Sequence, residues 1–163
     1  MNSFILEELM DELSINLGVV TSTSQEDVKE CIQKDNCQDM FPMVSNEFTN
    51  DSGFTVSIDE SKFLNDKDYH YTWLIGSDNE DNMKFLLCIR EYEREKTLSI
   101  EAFEVNKDMR GYGIGGNVVS VIESVAHNFF KFISVSPFDT EAMNFWEHME
   151  YEESKNSHWV KKL

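Results

Sequence analysis

Phe103-Glu104-Val105-Asn106-Lys107-Asp108-Met109-Arg110-Gly111-Tyr112-Gly113-Ile114-Gly115-Gly116 is the stretch on which the reading of this 163-residue chain turns. The chain has seven glycines, and four of them, Gly111, Gly113, Gly115 and Gly116, fall within six residues between an expected strand and an expected helix. Glycine lets backbone N–H groups approach an anion closely. At a helix start those donors are unpaired and aligned with the positive end of the dipole. A phosphate site is the direct physical reading, and Arg110 adds a fork of donors suited to a pyrophosphate oxygen. Gly111 to Gly116 also satisfies G-x-G-x-x-G, the dinucleotide fingerprint. A dinucleotide domain, however, needs several further βα units and an acid at the end of the next strand. Here only about fifty residues remain and that strand ends Ser134-Val135.

Upstream, residues 69–75, 83–92 and 97–105 are aromatic and β-branched runs separated by turn-like segments at 76–82 and 93–96, which predicts an antiparallel meander. Downstream, Ile114, Val118, Val121, Ile122 and Val125 form one stripe of a helix over 114–128. Residues 129–135 read as a strand buried on both faces, which closes a βαβ unit. Asp139 can cap a further helix on which Ala142, Phe145, Trp146 and Met149 share a face, and 157–163 reads as a closing strand. At the other end, Ile5, Leu9 and Leu13, with Leu6 alongside, make residues 2–16 an amphipathic helix stopped by Gly18. Residues 19–22 look extended, and Thr23-Ser24-Gln25-Glu26 is a capping box for a helix running to about residue 34. Residues 35–68, rich in Asn, Asp and Ser, give no firm assignment.

A hydrophobic fraction of 40% with twelve Phe supports a packed core, and the length suits one domain over 1–163 without a disulfide or metal staple. Cys31, Cys37 and Cys88 are odd in number and no Cys/His pair follows at zinc spacing, so they read as ordinary thiols in a reducing, cytoplasmic compartment, with no metal. No apolar run approaches the ~20 residues that span a bilayer, so no membrane role is expected. The net charge is −17 and uneven: residues 1–96 carry 21 acids and 8 bases, residues 97–163 carry 10 and 6. Such a field repels nucleic-acid phosphates and concentrates cations, which points to a small cationic amine or a basic protein as partner; solubility alone is the plainer explanation.

These residues resemble the GNAT superfamily of N-acetyltransferases, whose cofactor motif is (Arg/Gln)-x-x-Gly-x-(Gly/Ala) between a strand and a helix. Arg110, Gly113 and Gly115 match it in order. Residues 139–151 are similar to the family's Asn-x-x-Ala-x-x-Phe-Tyr-x-x-x-Gly-Phe, with Asp139, Trp146 and Glu150-Tyr151 in place of the usual Asn, Tyr and Gly-Phe. The resemblance implies an α+β three-layer fold with a mixed, mostly antiparallel central sheet, splayed strands and helices on both faces. It also implies acetyl-CoA as donor and an amine as acceptor. Residues 1–17 would then be an added helix, 19–96 the acidic substrate side and 97–163 the cofactor half. The loop Arg110, Gly111, Tyr112, Gly113, Ile114, Gly115 and Gly116 would hold the cofactor, with Val105, Asp139, Asn144 and Trp146 as further contacts.

Amide formation from a thioester needs a neutral amine, so a carboxylate must take the ammonium's proton, usually through water. Glu101 and Glu104 are the candidates. Strand alternation puts Glu101 with Phe103 and Val105 on one face and Glu104 on the other, unless a bulge intervenes; Glu104 is slightly favoured. In the family a tyrosine is thought to protonate the departing thiolate, and an indole at Trp146 cannot do this. The four histidines carry no assignable role. Two alternatives stand beside transfer: a CoA-binding module without turnover, and an acidic partner-binding protein. A homodimer is also left open.

Overall fold

The computed structural model describes residues 3–23, 25–33, 37–51, 56–58 and 71–163. In chain order its elements are α1 (Ser3–Leu17), β1 (Val20–Ser22), α2 (Gln25–Gln33), α3 (Cys37–Met40), α4 (Pro42–Phe48), β2 (Thr49–Asp51) and β3 (Val56–Ile58). Then come β4 (Tyr71–Ser77), β5 (Met83–Tyr92), β6 (Thr97–Val105), α5 (Ile114–Ala126), β7 (Phe132–Val135), α6 (Thr140–His148), β8 (Glu152–Glu153) and β9 (Trp159–Lys162). A seven-stranded sheet in the order β1-β4-β5-β6-β7-β9-β8 forms the centre, and β2 and β3 pair separately. All pairings in the large sheet are antiparallel except β6 with β7, which α5 connects as the crossover of a parallel unit.

Each face of the sheet carries its own core. On one, Ile5, Leu9 and Leu13 of α1 are buried together with Val118, Ile122 and Val125 of α5, above Leu87, Ile89, Leu98 and Ile133. The extra N-terminal helix is therefore part of the core, and burying its three apolar residues stabilises it by about 1.5–3 kcal/mol each. Gly18 ends α1 in a left-handed conformation, φ +62°, with its N–H donating to the Ser14 carbonyl at 2.9 Å. On the other face, Val28, Cys31, Cys37, Phe41 and Val44 of α2–α4 pack on Trp73, Ile75, Leu86 and Cys88.

Several boundaries differ from the sequence reading, each for a local reason. Gly76 and Ser77 belong to β4, because the Phe85 ring of β5 lies against Gly76 where a side chain would stand. The turn proper is held by Asp78, whose carboxylate accepts from the backbone N–H of Glu80 at 2.8 Å and of Asn82 at 2.9 Å. Helix α5 stops at Ala126, whose carbonyl then accepts from both Phe129 and Phe130. β7 starts only at Phe132, since Lys131 and Phe132 are tied to the Lys96 carbonyl. Nor is β7 buried on both faces: Ile133 and Val135 are buried while Phe132 and Ser134 are half-buried. Among the described residues, the core under α2–α4 reaches β4, β5 and Ala102 of β6. The closing strand begins at Trp159, after a 3-10 turn at Lys155–Ser157. Residues 69 and 70 of the expected first meander strand, and Ser24 of the capping box, lie outside the described residues.

Candidate active site

β6 pairs with β7 only from Thr97 to Ile100. Beyond that point β6 runs on to Val105 with no strand partner on that side among the described residues, and the sheet splits. The opening is a cleft of about 330 Å³ walled by the end of β6, the start of α5 and one face of α6. Glu104, Val105, Arg110, Gly111, Gly113, Ile114, Gly115, Gly116, Asp139 and Trp146 of the expected site all line it. Tyr112 and Asn144 do not. Tyr112 is 80% exposed in the loop, and Asn144 is on the outer side of α6.

Asn106 sets the exit from β6. It is buried, its N–H and side-chain amide donate to the carbonyls of Lys84 and Met83 at 2.8 Å each, and its side-chain oxygen accepts from Asp108 N–H at 3.1 Å. The chain then turns through Lys107–Met109 into the glycines. Gly111 and Gly113 have φ of +86° and +81°, a conformation that L side chains adopt only with strain, while open space surrounds both. Gly113 is the N-cap of α5 and makes no side-chain cap. The first N–H groups of a 13-residue helix are thus presented to the cleft as an anion cradle. Gly115 serves packing, since a Cβ there would stand 3.3 Å from the Phe145 ring and 3.5 Å from Val105 Cγ2.

The two candidate carboxylates are placed by a bulge. Cys88 of β5 pairs with Ala102 and Ile89 with Ile100, so Glu101 is an extra residue in β6. The alternation expected from an unbroken strand is shifted: Ile100 and Phe103 both join the core beside α5, while Ala102 and Glu104 turn towards α4. Glu104 is only 4% exposed. Its Oε1 accepts from the N–H groups of Met43 and Val44, and its Oε2 from Met43, all at 3.0 Å, at the first turn of α4. The Arg110 guanidinium lies 3.5 Å from Oε2, and its Nε donates to the Val105 carbonyl at 3.2 Å. Glu104 therefore joins three segments, β6, the glycine loop and α4.

Glu101 lines a smaller cleft of about 60 Å³ with Ser136, Pro137 and Phe138; this shares Glu104, Phe103 and Trp146 with the larger one. Burial first, and the Glu101 charge second, push the neighbouring Tyr92 hydroxyl above its usual range.

Asp139 caps α6, its Oδ1 accepting from Ala142 N–H at 2.8 Å. Trp146 is buried in an aromatic cluster, edge-on to Phe145 at 5.0 Å and to Tyr151 at 4.9 Å between ring centres. The Tyr151 hydroxyl is driven well above its ordinary pKa by burial and then by the Glu123 charge, which it faces without meeting hydrogen-bond geometry. It cannot stand in for a phenolic acid at Trp146. Sequence reasoning missed Met43 and Val44, which lie in the unassigned stretch. Pro42 at the first position of a helix was the available signal there. Among the described residues no cluster of three metal-ligating side chains is present, and no helix is long and apolar enough to cross a membrane.

Residues 37–151 match the model of the Acetyltransferase (GNAT) family. No curated protein sequence gives a match. Among solved structures, the chain is similar to a GNAT-family acetyltransferase from Staphylococcus aureus Mu50, at 15% identity and a TM-score of 0.62 over 89% of this chain and 99% of that one. It is also similar to Tetrahymena GCN5, at 8% identity and a TM-score of 0.62 over 88% and 94% of the two chains. At such identities the likeness is one of fold: an open, mixed seven-stranded sheet with helices on both faces.

Proposed function

The chain belongs to the GNAT acetyltransferase family, and on that footing we propose that it moves an acetyl group from acetyl-CoA to a primary, cationic amine. The observation that carries this reading is the uncapped start of α5, opening through left-handed glycines into the cleft where β6 and β7 part. The cradle fits a pyrophosphate: its donors are backbone N–H groups, and the absent Cβ atoms of Gly111 and Gly113 leave room for close approach. Acetyl-CoA supplies the acyl thioester.

The chain's own residues then have separable tasks. The N–H groups from Ile114 onwards, with the Arg110 guanidinium beside them at the cleft wall, hold the pyrophosphate. The Val105 backbone and the Phe145 and Trp146 rings line the path of the thioester arm. Glu104, committed to α4 and Arg110, keeps the two sides of the cleft in register. Glu101, in the adjoining cleft, is the better placed of the two to accept the amine's proton. The indole N–H of Trp146 is not acidic, so no side chain at this position protonates the departing thiolate. With a thiol pKa near 8.5 that costs only about 2 kcal/mol at neutral pH, within what one acid ordinarily contributes. The charge of −17 favours cationic acceptors, small or protein-borne, over nucleic acid or an anionic membrane surface. A cytoplasmic setting, where acetyl-CoA and reduced thiols coexist, accords with this.

The test is a panel of spermidine, a lysine-containing peptide and a peptide with a free α-amine, each with acetyl-CoA, following thiol release and acetyl-amine by mass. Transfer to at least one amine supports the reading. CoA binding without transfer to any acceptor would make this a CoA-binding module, which the indole at Trp146 favours as second reading. No CoA binding would remove both.

A further inference from the structure

We propose that Ser136 and His158 form the route by which the acceptor's proton leaves the smaller cleft, an inference that rests on the acetyl-transfer reading. In that reaction an N–C bond forms and the C–S bond breaks. An ammonium acceptor gives up two protons; one balances the departing sulfur and the other must reach solvent.

Ser136 follows directly on Val135, the last residue of β7, and lines the smaller cleft with Glu101. Its Oγ lies 2.9 Å from His158 Nδ1. The pairing of Val135 with Trp159 brings the two side chains together, since Ser136 and His158 are the next cross-strand positions beyond the ladder. Although both residues are exposed, the histidine's backbone is fixed: the His158 carbonyl accepts from Ser154 N–H at 2.7 Å and from Ser154 Oγ at 3.0 Å. A hydroxyl can accept a proton from the cleft while donating its own to Nδ1, and an imidazole so charged releases a proton to water from Nε2. Glu101 takes the proton from the amine; Ser136, at the exposed edge of the same cleft, and His158 pass it on to solvent.

The experiment uses the full chain with acetyl-CoA and the panel amine that turns over fastest. His158→Ala and Ser136→Ala should each lower kcat/KM by about 10²-fold, the low end for a positioned proton-transfer group, with CoA affinity unchanged. Because the two act as one path, the double variant should be no slower than either single one. Added imidazole should restore His158→Ala by about tenfold or more, a rescue that a merely structural histidine would not show. His158→Gln, which keeps hydrogen-bonding capacity but cannot take up and release a proton, should be as slow as His158→Ala; it checks that the turn has not simply unfolded. Variants as fast as the wild type, additive losses, or losses that imidazole leaves untouched would overturn the relay alone. A wild-type chain that binds CoA but acetylates no amine would overturn the transfer reading and the relay with it.

Discussion

Replacing Glu104 separates a structural carboxylate from a catalytic one, because the two roles predict opposite signatures. Glu104→Ala leaves the N–H groups of Met43 and Val44 without their acceptor, in a place where the lost side chain was 2% exposed. An unsatisfied buried donor costs about 1–3 kcal/mol, and Met43 is only partly buried, so the pair should cost about 2–4 kcal/mol. The lost contact with Arg110 adds less than about 1 kcal/mol, since that side chain is 35% exposed and solvent screens it. In a domain of this size each kcal/mol moves Tm by roughly 2–4 °C, so Glu104→Ala should melt about 4–16 °C lower. Glu104→Gln keeps one acceptor oxygen but turns an amide N–H towards either α4 or Arg110, and should lose about half as much. Thermal unfolding followed by circular dichroism, with CoA titrated into each variant, reads both effects. If Glu104→Ala melts within about 1 °C of the wild type while turnover disappears, Glu104 is the base and the anchoring argument is wrong.

Three further outcomes follow from the geometry. Gly113→Ala must hold an alanine at φ +81°, a strain of about 1–2 kcal/mol, so CoA affinity should fall with Tm; an unchanged dissociation constant by calorimetry would dismiss the cradle. Gly76→Ala drives a methyl into the Phe85 ring, which should cost about 1–3 kcal/mol by overpacking; Gly76→Ala combined with Phe85→Leu should recover part of it, and a neutral single variant would contradict the packing. The Tyr151 hydroxyl has a folded pKa raised by burial and by Glu123. The neutral phenol thus contributes stability that is present below the unfolded value of about 10 and is lost as pH rises towards the folded one. Tyr151→Phe should accordingly shift alkaline unfolding to higher pH, and an identical denaturation profile above pH 10 would refute it.

Local chemistry makes much of this chain legible in the sequence. The β5 and β6 boundaries, the α5 stripe, the Asp139 cap and the anion loop each depend on neighbours within a few residues: alternation, 3.6-residue periodicity, a short capping side chain, glycines at φ positive. What periodicity could not hold was anything set across the sheet. The extra residue at Glu101 is defined only by its pairing with β5, and it alone decides which face each carboxylate takes. Glu104 finds its donors at Met43 and Val44, some sixty positions away, in a stretch whose polar composition hides a helix marked only by Pro42. Ser136 and His158 carry no motif and meet because β7 and β9 run antiparallel. A sequence fixes the conformations that a residue's own neighbours can enforce. Which side chains from distant strands share a proton or a hydrogen bond is decided only when the sheet's register brings them together.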